Sequence, residues 1–421
     1  MWKWIKRVLW AFLILVIVAY AGVCVWLRTN ETRLIFNRAL PHTPPSPSLA
    51  LNQQNVEFGE VEGTKLYAWV IPSLPQDNSN NIWLLFLHGR SDNVSLSANA
   101  YDNFRAMGFN IMAPEYPGYL DSLGVPSEAA VEREARTAYD YLRTVKQVPA
   151  KNIVIFGGSL GATFAIDLAS RVEAAALVEH AGFTSFVAMR PFLTKVLPIL
   201  KAFPLLPISA LVKNKLESDK KIGRVRMPVL LIHSTEDEVV PFVHAERLYE
   251  LVPSAKRLVR VRGRHGPGQI SALLNPRFFE EIVTFLNAEA GFHLRQPLPS
   301  IAPAMAATID SKGIAAALAQ YRSLRDENAK HYNFREPELN YLGYDLLAKK
   351  KTIEAIAVFQ FNAEQFPESF NAFDSLGDAY VAAGKAAEAM QSYRQSVTLF
   401  PDASNFSRPK LDQLQQKSQG R

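Results

Sequence analysis

The stretch NIVIFGGSLGATFAIDLAS, residues 152–170, limits the folds open to this chain more than any other. Its opening NIVIF is apolar and β-branched enough from Ile153 onward to read as a buried strand, and Gly161–Arg171 reads as a helix. Where strand meets helix stands one hydroxyl, Ser159, in a G-x-S-x-G pattern between Gly157 and Gly161. A sharp strand-to-helix turn has no room for side chains beside the serine, which accounts for both glycines. The turn also sets the hydroxyl at a helix N-terminus, where backbone N–H groups stabilise negative charge. A strand that ended in a flexible glycine loop would need no such flanks. Ser159 is therefore the candidate nucleophile.

The surroundings repeat the alternation. KLYAWVI (Lys65–Ile71), IWLLFL (Ile82–Leu87), FNIMAP (Phe109–Pro114), AALVEHA (Ala175–Ala181), PVLLIH (Pro228–His233) and KRLVRV (Lys256–Val261) read as further strands. Helical patterns fall between them, around 93–107, 128–145, 241–251 and 277–287. Such alternation predicts a mostly parallel sheet with helices on both faces. In sheets of this kind, reactive groups belong on the loops at the carboxyl ends of strands. Ser159 occupies such an end.

A serine at neutral pH needs a general base, and the base needs an orienting carboxylate. Three acids follow the strand PVLLIH, namely Glu236, Asp237 and Glu238, and all are candidates. Among the histidines after the serine, His180 and His233 sit at strand ends and could line a pocket. His244 falls within a helix, and His293 and His331 lie beyond the last helix of the sheet region. His265, in VRGRHGPG, follows the final strand on a glycine-rich loop that can reach across to the serine. It is the expected base.

The stretches FLHGRSDN, YPGYLDSLGVPSE, GGSLGA, GFTSF, PVLLIHSTEDEVVP and GRHG occur in this order. Through them, residues from about Glu57 to Asn287 resemble membrane-anchored α/β-hydrolases of the serine-aminopeptidase-like group. The resemblance implies an α/β fold: an α/β-hydrolase sheet with flanking helices. It selects Asp237 as the acid, because such enzymes place it just before a VVP-like stretch. It also implies an oxyanion hole made by the backbone N–H groups of Arg90, after the H-G pair, and of Leu160, after the nucleophile. The implied chemistry is two-step acyl transfer on an ester, thioester or amide, with no cofactor and no metal. Two positions depart from the family pattern: Leu120 stands where glycine is commoner, and Arg90 replaces a small or amide residue. The apolar, proline-containing segment 189–212 has two readings, a cap over the site or a wall of the core.

The chain opens with 20 uncharged residues, Val8–Leu27, flanked by Lys3, Lys6 and Arg7 and by Trp2, Trp4 and Trp26. That length at about 1.5 Å per residue matches a hydrocarbon core of roughly 30 Å. The expectation is a single-pass signal anchor with its N-terminus in the cytoplasm, as in a bacterial inner membrane, and a periplasmic catalytic domain. A cleaved signal peptide would show a shorter apolar core, and the residue before Cys24 does not suit a lipoprotein site.

A second pattern closes the chain. LNYLGYDLLAKKKTIEAIAVFQFNAEQFP and FDSLGDAYVAAGKAAEAMQSYRQSVTLFP align so that Gly343 pairs with Gly377, Ala355 with Ala389, Phe359 with Tyr393 and Pro367 with Pro401. The constant offset is the tetratricopeptide period of about 34 residues, and the repeats resemble such units. A small all-α domain follows from this, with a protein partner on its concave face as one role and packing or self-association as the other.

The expected organisation is an anchor at 1–28, an extended tether at 29–56, the hydrolase domain at 57–290, a linker at 291–312 and the helical domain at 313–421. A net charge of +6 without a dense basic stripe argues against a nucleic-acid partner. The single cysteine, Cys24, excludes an intrachain disulfide and a cysteine-based zinc site. A rival to the enzyme reading is a silent hydrolase scaffold that recruits a partner through its repeats; it has no chemical need for Ser159, Asp237 and His265 together.

Overall fold

The computed structural model describes residues 2–37, 53–61, 63–74, 81–90, 92–120, 122–196, 201, 206–262, 265, 276–328, 331–401 and 407–418. Eight strands make one sheet: β1 (Gln54–Val61), β2 (Thr64–Ile71), β3 (Trp83–Leu87), β4 (Asn110–Pro114), β5 (Ile153–Gly158), β6 (Ala176–His180), β7 (Val229–Ser234) and β8 (Lys256–Val261). Their spatial order is β1-β2-β4-β3-β5-β6-β7-β8. β1 pairs with β2, and β2 with β4, antiparallel, while β4, β3 and β5 to β8 run parallel.

Every residue of β3, β4, β6 and β7 is buried, as befits strands covered on both faces. Alternate side chains enter two separate cores. Leu85, Leu87, Ile155, Leu177 and Leu231 pack on one face with helices α3 (Glu128–Thr144) and α4 (Leu160–Ala169). Leu84, Phe86, Val154, Phe156 and Ile232 pack on the other with α2 (Ala98–Met107) and α9 (Pro276–Glu289). The segment between β6 and β7 includes the short helices α5 (Arg190–Val196), α6 (Ile208–Leu211) and α7 (Ser218–Lys221); α8 (Val243–Leu251) joins β7 to β8. Of the apolar segment 189–212, Met189, Leu193, Leu206, Ile208 and Val212 are buried in the first core. Residues 197–200 and 202–205 lie outside the described residues.

Helix α1 (Trp2–Ile35) is long and apolar enough to cross a membrane by length and composition. It continues past residue 28, through Arg28, Glu31 and Arg33, where the sequence reads as the start of a tether. Its last turns are covered on one face: Leu27, Ile35 and the following Phe36 are buried in the first core, and Glu31 is buried beside them. Helix α10 (Ala302–Lys312) forms where a linker is expected, with Met305 and Ile309 buried against the helices that follow.

The C-terminal region is all helical: α11 (Ile314–Asn328), α12 (Glu336–Ala348), α13 (Thr352–Gln365), α14 (Phe370–Ala382), α15 (Ala386–Leu399) and α16 (Ser407–Ser418). Gly343 lets α12 close on the Phe359 ring, where a Cβ would stand 2.5 Å from a ring carbon; Gly377 does the same for Tyr393 at 2.3 Å. The sheet region and the helical region touch through an Arg335–Asn103 hydrogen bond and through the Arg295 N–H, which donates to Met107 O.

Candidate active site

The turn between β5 and α4 is built by exclusion. A Cβ on Gly161 would stand 2.1 Å from Leu87 O and 2.5 Å from His88 O, so α4 crosses the end of β3 at a distance only glycine permits. A Cβ on Gly157 would meet Gly161 O at 2.5 Å and the Ala165 side chain at 2.6 Å. Between these contacts Ser159 is forced to φ 53°, ψ −115°, a conformation that costs a non-glycine residue about 1–3 kcal/mol. Its N–H donates to His180 O at 2.7 Å, tying the turn to the end of β6.

His265 stands opposite. Ser159 Oγ and His265 Nε2 are 2.9 Å apart, and His265 Nδ1 lies 2.7 Å from Asp237 Oδ2. A carboxylate on Nδ1 fixes that nitrogen as the N–H donor and leaves Nε2 as the acceptor for the serine hydroxyl. Asp237 is held in turn: its Oδ1 accepts from Val239 N–H at 2.9 Å and Val240 N–H at 2.7 Å. Burial by itself would raise its pKa. The His265 hydrogen bond and charge, the Val240 N–H and nearby His233 outweigh that and hold the carboxyl below its ordinary range. The other residues of this loop that His265 occupies, 263–264 and 266–275, lie outside the described residues.

The remaining acids and histidines sit elsewhere. Glu236 and Glu238 are exposed, and Glu236 faces Arg262 at 3.7 Å. His233 Nε2 bonds Val240 O at 2.8 Å behind Asp237, and His244 Nδ1 engages Thr184 Oγ1 at 2.9 Å. His293 and His331 are exposed. His180 is buried beneath the serine, and burial together with His233 and His265 lowers its pKa to about 3, so it is neutral at any ordinary pH. Among the described residues no His, Cys, Asp and Glu cluster is arranged to hold a metal ion.

The loop after β3 passes over the nucleophile, since a Cβ on Gly89 would lie 3.2 Å from Gly158 O and 3.4 Å from Ser159 Cβ. Arg90 follows directly, and Leu160 opens α4 on the other side of the hydroxyl. A buried shelf supports this loop. His88 O accepts from Tyr116 OH at 2.8 Å, His88 Nε2 lies 3.2 Å from Glu115 Oε1, and Glu115 Oε2 accepts from Val94 N–H at 3.1 Å. Burial raises Asp92 to about 6 despite the opposing His88 charge and the Ser97 hydroxyl. Neither the shelf nor its carboxylates were legible in sequence, because Asp92 and Glu115 look like ordinary loop charges until the fold closes over them. Leu120 adopts φ 39°, the left-handed region that glycine enters freely, which explains why glycine is commoner at this position.

Residues 112–263 match the dienelactone hydrolase family. The sheet order, the strand-to-helix turn and this match agree. The sheet region has the α/β-hydrolase fold. The α/β-hydrolase region is 32% identical over 212 residues to mouse alpha/beta hydrolase domain-containing protein 17C, covering 50% of this chain and 61% of that protein. It is 29% identical over 243 residues to the uncharacterized protein Rv2307c of Mycobacterium tuberculosis, covering 58% and 83%. Among solved structures it is similar to the Pyrococcus furiosus esterase Pf2001, at 19% identity and a TM-score of 0.48, over 60% of this chain and 99% of that one. The chain spans 60 to 61% of the length of the curated relatives first matched.

The α/β-hydrolase core carries a further buried acid. Glu179, at the end of β6, is fully buried and accepts the Gly182 N–H, and burial raises it to about 8 in spite of that bond. An acid whose folded pKa is raised binds its proton more tightly in the native state. Its stabilising effect is complete below the ordinary glutamate pKa near 4.5 and is lost as pH rises through about 8. Glu179→Gln keeps the acceptor for Gly182 and removes the titration. The variant is expected to match the parent in thermal stability at about pH 4, and to exceed it by a margin that grows from about pH 5 to pH 8 and levels off above that. A melting-temperature difference that does not change with pH would contradict this assignment.

Proposed function

We propose that this α/β-hydrolase is a serine hydrolase that cleaves ester, thioester or amide bonds through an acyl-enzyme. The continuous relay from Ser159 Oγ through His265 to Asp237 carries the reading. Ser159 Oγ attacks the carbonyl carbon while His265 Nε2 takes the hydroxyl proton. Asp237 stabilises the imidazolium that forms without itself becoming protonated. The Arg90 and Leu160 amides receive the developing oxyanion at the N-terminus of α4, a term worth about 10²–10³ in turnover for a single donor. His265 then protonates the leaving group, and water, activated by the same nitrogen, releases the acyl group. No cofactor takes part.

The rest of the chain supports an anchored enzyme with a helical tail. Val8–Leu27 would cross the membrane as a single span with the N-terminus in the cytoplasm, which for a Gram-negative source places the hydrolase in the periplasm. The tail would form two tetratricopeptide-like units, offering a surface for a protein partner. A silent scaffold is disfavoured by the strained φ of Ser159, a costly conformation that a scaffold has no chemical need to keep.

A fluorophosphonate probe tests the reading. The detergent-solubilised full chain should be modified on one residue, Ser159, as located by peptide mass spectrometry, and Ser159→Ala should stay unlabelled. Absence of labelling in a folded parent protein would refute it.

A further inference from the structure

We propose that the last turns of α1 are a positioning element of the active site, holding the oxyanion loop through the side chain of Arg90. The inference rests on the serine-hydrolase reading above, in which the Arg90 backbone N–H receives the oxyanion.

Arg90 Nε donates to Leu34 O at 2.9 Å, across 56 residues of sequence. Leu34 lies in the final turn of α1, where carbonyls have no partner within the helix and attract a cation. The guanidinium therefore caps the helix, and the helix in turn restrains the residue next to Gly89, the glycine that closes on Ser159. An arginine at this position, where small or amide residues are commoner, has a use.

The restraint is only as firm as the seat of α1 itself, and that seat is built. Glu31 is 4% exposed, and its Oε1 accepts from Lys213 N–H at 2.8 Å, Asn214 N–H at 2.6 Å and Asn214 Nδ2 at 2.7 Å. Arg28 Nη1 donates to Leu211 O at 2.9 Å. These bonds fasten α1 to the segment between β6 and β7. Phe36 is buried and stacks on Phe164 of α4 at 6.4 Å between ring centres, so the helix end also bears on the helix that presents the nucleophile. One short stretch, Leu27–Phe36, thus contacts the oxyanion loop, the nucleophile helix and the region between β6 and β7.

Full-chain variants in detergent test this, assayed on a short soluble ester, with active serines counted by fluorophosphonate titration. The count removes unfolded molecules from the comparison. For Arg90→Ala, which keeps the backbone N–H, kcat per titrated serine should fall about tenfold to a hundredfold, since misplacing a catalytic group by about 1 Å costs up to about 10²-fold. KM should stay within about twofold. Arg90→Lys, which restores a cation to the Leu34 carbonyl, should recover part of the loss. Glu31→Ala should lower kcat per serine in the same way, while Glu31→Gln, which keeps the accepting oxygen, should not. A merely structural role would reduce the number of titrated serines and leave the turnover of each unchanged. If Arg90→Ala and Glu31→Ala both keep parental kcat per serine while Ser159→Ala is inactive, the positioning role is overturned and the hydrolase reading stands. If Ser159→Ala is itself active, both fall.

Discussion

Ester hydrolysis by the Ser159→Ala protein is expected to fall by about 10⁴–10⁶-fold in kcat, with the melting temperature unchanged within about 2 °C. Loss of the nucleophile in enzymes of this mechanism removes nearly everything the triad supplies and leaves only binding and oxyanion stabilisation. The structure explains why stability should not suffer. Ser159 is half-buried, its Oγ bonds only His265 among the described residues, and alanine keeps the N–H that reaches His180 O. The strained φ of 53° is imposed by Gly157 and Gly161, so it persists in the variant without added cost. Steady-state kinetics on a soluble ester, beside a thermal melt of the same sample, provide the check. Retention of more than about one hundredth of parental kcat would remove Ser159 from the mechanism.

Gly161→Ala is expected to be the most destabilising single methyl group that can be added to this turn. The new Cβ would stand 2.1 Å from Leu87 O and 2.5 Å from His88 O, both backbone atoms of the sheet end and neither able to rotate away. Overpacking commonly costs about 1–3 kcal/mol, and a clash of two carbonyls with no flexible partner belongs at or above the upper limit. For a domain of this size that corresponds to a fall of roughly 6–12 °C in melting temperature. Hydrolysis should fall as well, because relief requires β3 and α4 to separate, and the Gly89–Arg90 loop moves with β3. Gly158→Ala is the matched control, since its Cβ would meet nothing closer than 3.9 Å. Thermal unfolding of the two variants side by side decides the point: equal melting temperatures would show that the turn is looser than its contacts imply.

These two expectations bear on what could be read from the sequence. The sheet was legible wherever strands are buried on both faces, because continuous apolar runs such as WLLFL have no other stable place. β1 was not. Its residues QNVEFGEV are mostly exposed at the sheet edge, so their pattern is that of a surface loop, and pairing with β2 is what makes them a strand. The positions of Ser159 and His265 were legible for a different reason: glycines flank both, and a glycine-bounded polar side chain is rarely a core residue. Choosing Asp237 over Glu236 and Glu238 needed the family resemblance, because the three are adjacent and only the fold turns one inward.

The end of α1 was the least legible part. Arg28, Glu31 and Arg33 end the apolar run, and charge at that point ordinarily signals water. Glu31 is buried instead because three donors from residues 213 and 214 converge on it, a partnership 182 and 183 positions away in sequence. Local pattern carries no trace of such a pairing. The helix at 302–312 escaped for a related reason: a proline and several alanines resemble a spacer until Met305 and Ile309 find a core.

Leu27, Ile35 and Phe36 belong to the same apolar interior as the central strands, although they lie at the end of a rod that is exposed from Trp2 to Ala19. A shortened chain that keeps this interior intact therefore cannot be made by cutting where the rod ends its geometric course, near residue 36. That cut would unplug three side chains from the interior and strip the guanidinium of residue 90 of its acceptor. The scissors belong ahead of Leu27, leaving the final nine residues of the rod attached as a plug.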